Sequence, residues 1–205
     1  RPERVLYYFE QLCGIPHGSG DTKAISDWCM EFAKNHGLDA YQDDLNNVII
    51  YKGASVGKEN APTVILQGHL DMVCEKDADI EFDFTKDSLH LVVEGDLIKA
   101  KGTTLGGDDG IAVAMAMALL ADKTIPHPPI EAIITVDEEI GLLGAASIDL
   151  SQLNGRTLIN IDSEEEGIFT VSCAGGATAT VTLPVDRRAV YGPCIRLAVD
   201  GLQGG

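Results

Sequence analysis

Positive charge is what this sequence has least of. Its 205 residues carry 15 Lys and Arg against 32 Asp and Glu, a formal net charge of −17. Nucleic-acid binding needs the opposite balance, a basic surface facing phosphates. An anionic membrane would repel such a chain. No apolar run approaches the ~20 residues that span a bilayer. The chain opens Arg1-Pro2-Glu3, with neither an initiator Met nor an apolar signal segment. Its five Cys (13, 29, 74, 173 and 194) are odd in number, widely spaced and never arranged C-x-x-C. That usage predicts reduced thiols in a cytoplasmic protein rather than a disulfide framework. Two catalytic signatures are missing as well. There is no G-x-S-x-G nucleophile elbow, and the glycines of 102–107 lead to no Gly-Lys-Ser/Thr, so they make no P-loop.

What is present reads as a folded α/β chain, 45% apolar and 23% charged. Val5, Leu6, Phe9 and Leu12 fall on one helical face over 3–13. After the turn Gly14–Gly20, Asp21 or Thr22 is placed to cap a second helix, with Ile25, Trp28, Cys29 and Phe32 as its buried stripe and Gly37 as its stop. Strands are expected at 48–51 and 63–66. A hairpin is expected from 89–93 and 97–100 around Glu94-Gly95-Asp96. An Ala- and Met-rich helix over 109–122 is apolar nearly all round and should be buried. Strands at 130–136 and 157–161 follow. Apolar strands alternating with helices indicate a largely parallel sheet covered on both sides. From about 175 the pattern changes to half-exposed alternation, at 177–183 and 195–199, as in the opening strands of a second domain.

Four acidic and histidine motifs sit where these apolar strands end or where the buried helix begins. They are Gln67-Gly68-His69-Leu70-Asp71-Met72-Val73, Gly106-Gly107-Asp108-Asp109-Gly110, Asp137-Glu138-Glu139-Ile140-Gly141 and Asn160-Ile161-Asp162-Ser163-Glu164-Glu165-Glu166-Gly167. Ligands collect at the carboxyl ends of the strands in open α/β sheets. In extended backbone His69 and Asp71 point the same way, so Asp71 can fix the imidazole tautomer while the other nitrogen binds a metal. Asp108-Asp109 taken alone is explained by helix capping. With Asp109 at the helix end, however, Asp108 is free to bridge two metals. Of Glu138 and Glu139, one can ligate a metal while the other takes a proton from water, and the spacing does not say which. Asp162 can ligate a second metal, whereas Glu164–Glu166 read as a solvated edge. His17, His36, His90 and His127 are expected on surfaces or in loops, and Cys74 is expected to pack rather than ligate. One His and several carboxylates make a hard, oxygen-rich site for two divalent cations.

Together, His-Leu-Asp-Met-Val, Gly-Thr-Thr-Leu-Gly-x-Asp-x-Gly, Glu-Glu-x-Gly and Asp-Ser-Glu-Glu-Glu-Gly resemble the M20 metallopeptidases, most of all their aminoacyl-histidine dipeptidase branch. The resemblance implies a three-layer α/β/α catalytic domain with a mostly parallel sheet, its N-terminal part spanning 1–174. Residues 175–205 would begin a smaller α+β lid or dimerisation domain. It implies two Zn2+, with Co2+ or Mn2+ as alternatives, held by His69, Asp108 as the bridge, Glu139 and Asp162. Asp71 would orient His69 and Glu138 would be the general base. The implied substrates are dipeptides of the Xaa-His type, and the implied assembly is a homodimer. The family's fifth ligand and its lid-domain His have no counterpart here, so the chain reads as a fragment, expected to bind metal weakly and to turn over little. A deacylase of N-acyl amino acids or a non-catalytic metal-binding module are the alternative readings.

Overall fold

The computed structural model describes residues 2–163 and, beyond them, 167–172, 180–184, 186, 189, 191–193, 195, 196 and 198. The chain divides into two units, 1–163 and 164–205. Every regular element among the described residues lies in the first. In chain order these are α1 (Pro2–Cys13), α2 (Lys23–His36), β1 (Asp39–Gln42), β2 (Val48–Lys52), β3 (Val64–His69), β4 (Leu91–Glu94), β5 (Leu97–Ala100), α3 (Gly107–Ala121), β6 (Ile130–Thr135), α4 (Leu143–Ser147) and β7 (Thr157–Asn160). Of the strands expected at 177–183 and 195–199, the described residues 180–183, 195, 196 and 198 form no regular strand, and 177–179, 197 and 199 lie outside the described residues.

Five strands make one sheet in the order β1-β2-β6-β3-β7. β3 pairs with β6 and with β7 in parallel, while β2 is antiparallel to both β1 and β6. Only β2 therefore opposes the other four, and the sheet is mostly parallel, as the sequence implies. Its central strand β6 is buried along its whole length, which is what an uninterrupted apolar run predicts for a strand covered on both faces.

Strand periodicity divides those side chains between two faces. Val48, Ile50, Leu66, Ala132 and Ile134 join one core with Phe9 and Leu12 of α1, Ile25, Cys29 and Phe32 of α2, and Val113 and Met117 of α3. On the opposite face Ile49, Ile65 and Ile133 are also buried. There Glu131 accepts hydrogen bonds from the main-chain N–H groups of Asn154 and Gly155, 2.9 Å each, in the loop that leads into β7.

Some expectations shift in register. On α1 the buried residues are Tyr8, Phe9, Leu12 and Cys13, while Leu6 is exposed. The face toward α3 is thus centred about one residue beyond the expected stripe. Thr22 occupies the cap position of α2 without making a side-chain cap bond, but Gly37 does end that helix in the left-handed region, at φ 67°. β1 and α4 went unpredicted. β1 alternates between half-buried and exposed positions and is drawn into the sheet by β2, while the five residues of α4 are too few to show a helical period. β7 lies at the sheet edge with all four residues exposed, unlike the buried strand its apolar composition suggests. No helix among the described residues is long and apolar enough to cross a membrane. Cys13, Cys29 and Cys74 are free thiols.

Candidate metal centre

His69 is the last residue of β3 and lies beside Thr135 of β6, at the carboxyl ends of both strands. Its side chain is 1% exposed. Nδ1 is 2.9 Å from the main-chain carbonyl oxygen of Asp71 and 3.4 Å from Asp71 Oδ1. Both are acceptors, so Nδ1 carries a hydrogen, and in the neutral imidazole that metal binding requires Nε2 keeps the lone pair, facing outward. Buried Asp71 is itself well satisfied. Its carboxylate accepts from Ser19 Oγ at 2.8 Å, the Glu138 N–H at 3.0 Å and the Glu139 N–H at 3.3 Å. Burial raises the Asp71 pKa, but the His69 bond and these donors outweigh it and hold the group at about 2.

Around the free Nε2 stand the other acids. Asp108 Oδ1 is 3.2 Å away and Glu138 Oε2 is 3.8 Å away. Among the described residues, ligand atoms converge in two groups, His69 with Asp108 and Asp162, and His69 with Glu138 and Glu139, each within 4.8 Å. Asp71, His69, Asp108, Glu138, Glu139 and Asp162 thus come together from four separate segments. The two groups share His69, and Asp108 and Glu139 fall in different ones. Burial lowers the His69 pKa, yet Asp71, Asp109 and Asp162 reverse this and carry it to about 9. Burial, then neighbouring acids, raises the pKa of both Glu138 and Glu139 despite the opposing charge of His69. One imidazole ringed by carboxylates is a donor set for divalent cations. The residues fit the expected metals.

The local backbone explains how each acid arrives. Gly106 at φ 68° turns the chain into α3, and Asp108 and Asp109 keep non-helical torsions, with a cis peptide bond between them. Asp109 does not cap the helix as expected. Its Oδ2 instead accepts the main-chain N–H of His69 at 3.2 Å, tying α3 to β3. Burial, with Asp162 next, raises Asp109 to about 7. Beyond β6, Asp137 adopts φ 55°, and buried Asn47 braces the same loop by accepting the Val136 N–H and donating to the Gly144 carbonyl, 3.1 Å each. His17 lies in a loop as expected, though buried rather than solvated. Cys74 belongs to neither ligand group. Ser19 and Asn47 were not singled out from sequence, because each acts through a partner distant in the chain.

The chain is 41% identical, over its full length, to the cytosol non-specific dipeptidase of Escherichia coli K12, of which it covers 42%. The solved aminoacylhistidine dipeptidase of Vibrio alginolyticus matches 81% of this chain and 34% of its own at a TM-score of 0.79 and 42% identity. The chain belongs to the M20 metallopeptidases, in their aminoacyl-histidine dipeptidase branch. A more distant member, peptidase T of Vibrio cholerae, is 42% identical over 98 residues, 45% of this chain and 24% of the relative. No family model matches. The chain therefore spans less than half the length of the M20 relatives named here.

Proposed function

We propose that this chain supplies the metal-binding sheet of a metal-dependent dipeptidase. The observation that carries the reading is the convergence of Asp108 and Asp162, and of Glu138 and Glu139, in two ligand groups that share the His69 imidazole, in a chain whose relatives include a dipeptidase at 41% identity. His69, Asp108, Glu139 and Asp162 are assigned as ligands of two zinc ions, with Asp108 between them. Bound there, the cations would supply Lewis-acid polarisation of a peptide carbonyl and a lowered water pKa.

Glu138 is the general base in this reading. Its raised pKa and half-buried position suit a carboxylate that takes a proton from water at one oxygen and returns it to the leaving amine, a step worth ~10²–10⁴-fold. Asp71 holds the Nδ1–H tautomer of His69 and keeps Nε2 free for metal. Dipeptides of the Xaa-His type are the proposed substrates, a homodimer the proposed assembly and the cytoplasm the proposed location. Residues 1–174 are assigned to the catalytic domain and 175–205 to the start of a lid.

Elemental analysis of the purified chain, beside a His69→Ala/Asp108→Ala control, tests the ligand set. Zinc at one to two per chain that disappears in the control supports it. Equal zinc in both sinks it. In a preparation that hydrolyses β-Ala-His, Glu138→Gln should abolish turnover with metal content intact.

A further inference from the structure

The loop Gly14–Gly20 reads in the sequence as a plain turn, yet it touches three of the segments that build the metal centre. It runs beside the end of β3 like a short parallel strand, with Gly18 bridged to Met72. The Met72 N–H donates to the His17 carbonyl at 3.1 Å, and the Ser19 N–H donates to the Met72 carbonyl at 3.3 Å. One residue on, the Gly20 N–H donates to Asp137 Oδ1 at 2.7 Å, in the turn that presents Glu138 and Glu139. Buried His17 hydrogen-bonds the Ile15 carbonyl through Nδ1 at 2.5 Å. Its Nε2 faces Gly106, the approach to Asp108, where an added Cβ would lie 3.1 Å from it.

We propose that this loop is a clamp on the metal centre and that Ser19 is a positioning residue, acting on His69 through Asp71. The inference rests on the metal-centre reading above. Asp71 Oδ1 serves the Glu138 N–H and faces His69 Nδ1. Oδ2 receives the Ser19 hydroxyl at 2.8 Å and the Glu139 N–H at the longer 3.3 Å. The hydroxyl is therefore the shorter of the two bonds to Oδ2, the oxygen turned away from His69. Without it Asp71 can rotate away from the imidazole, and Glu139 loses its main-chain anchor at the same time. A partner that orients a ligand in this way is commonly worth 10–100-fold in metal affinity. Thr keeps the hydroxyl on a similar stem, while Ala keeps only the Cβ.

Co2+ titration followed by visible absorption, on the unaltered chain and on Ser19→Ala, Ser19→Thr and His69→Ala, decides the matter, with thermal unfolding recorded for each without metal. The expected result is a Ser19→Ala affinity at least tenfold weaker at an unchanged melting temperature, near-normal binding by Ser19→Thr, and none by His69→Ala. Unchanged affinity in Ser19→Ala, with binding lost in His69→Ala, overturns the clamp and leaves the metal centre standing. If Ser19→Ala weakens binding only in step with a lower melting temperature, the clamp is likewise overturned, since the residue then serves the fold alone. If the unaltered chain binds no Co2+, or His69→Ala binds as well as it does, the metal centre itself falls and this inference with it.

Discussion

His69 Nδ1 lies 2.9 Å from the carbonyl oxygen of Asp71 and 3.4 Å from the carboxylate of that same residue. One residue thus presents two acceptors to one nitrogen, and the main-chain acceptor is the nearer. The tautomer is held by backbone, which side-chain substitution leaves in place.

Replacing Asp71 by Asn should accordingly keep the imidazole oriented while removing a negative charge and one acceptor for the Glu138 and Glu139 N–H groups. Zinc affinity is expected to fall ~10–100-fold, as for other partners of metal ligands. Competition against a chelator reads this directly. An affinity equal to that of the unaltered chain would show that the carboxylate contributes nothing.

The raised pKa values set the pH response of the metal-free chain. His69 goes from 6.5 to about 9 in the folded state, so its contribution is full below 6.5 and is lost as pH rises through 9. Asp109 moves from 3.8 to about 7, so the fold favours its protonated form and loses that advantage as pH rises from 3.8 through 7. Both act in one direction. In EDTA the melting temperature should be higher at about pH 5.5 than at about pH 9, and zinc, which binds the neutral imidazole, should narrow the gap. A His69→Gln chain that loses as much stability between about pH 7.5 and 9 would remove His69 as the cause.

At Gly68, next to His69, β3 packs tightly against α3. A Cβ there would lie 2.7 Å from Asp109 Oδ2 and 2.9 Å from the Ala112 Cβ, so Gly68→Ala must push α3 away from β3. The expected cost is ~1–3 kcal/mol, the range for overpacked interiors. Because Asp108 rides on the same helix end, zinc affinity should fall too. Urea unfolding and metal titration of one variant check both, and a neutral substitution would mean that the helix yields freely.

Much of this was legible in the residues. Long one-period signals, such as the apolar run of β6 and the Ala/Met-rich stretch of α3, reported their elements because each has to be buried. The ligand candidates were legible through position, since β3, β6 and β7 each deliver an acid or His just at or past the strand end. What stayed hidden depends on tertiary neighbours. Asp109 has the sequence signature of a cap, but the backbone before it leaves the helical region and turns its carboxylate to His69. β1 forms because β2 offers an edge, and Ser19 matters because a chain 52 residues away returns beside it.

Asn47 is of this hidden kind, and it gives the sharpest mutational contrast. Its Nδ2 donates to Asp43 Oδ2 at 2.7 Å and to the Gly144 carbonyl at 3.1 Å, while its Oδ1 accepts the Val136 N–H. Asn47→Ala leaves the buried Val136 N–H without a partner and the Gly144 carbonyl with the Ile148 N–H alone, at ~1–3 kcal/mol. Asn47→Asp keeps an acceptor for Val136, yet sets a carboxylate against the Gly144 oxygen and the Asp43 carboxylate. It should therefore destabilise at least as much as the alanine substitution, although it is nearly isosteric. Both variants should loosen the loop that carries Glu138 and Glu139, so metal affinity should follow stability in the same order. A higher urea midpoint for Asn47→Asp than for Asn47→Ala would show that shape, rather than the donated hydrogen bonds, is what this site requires.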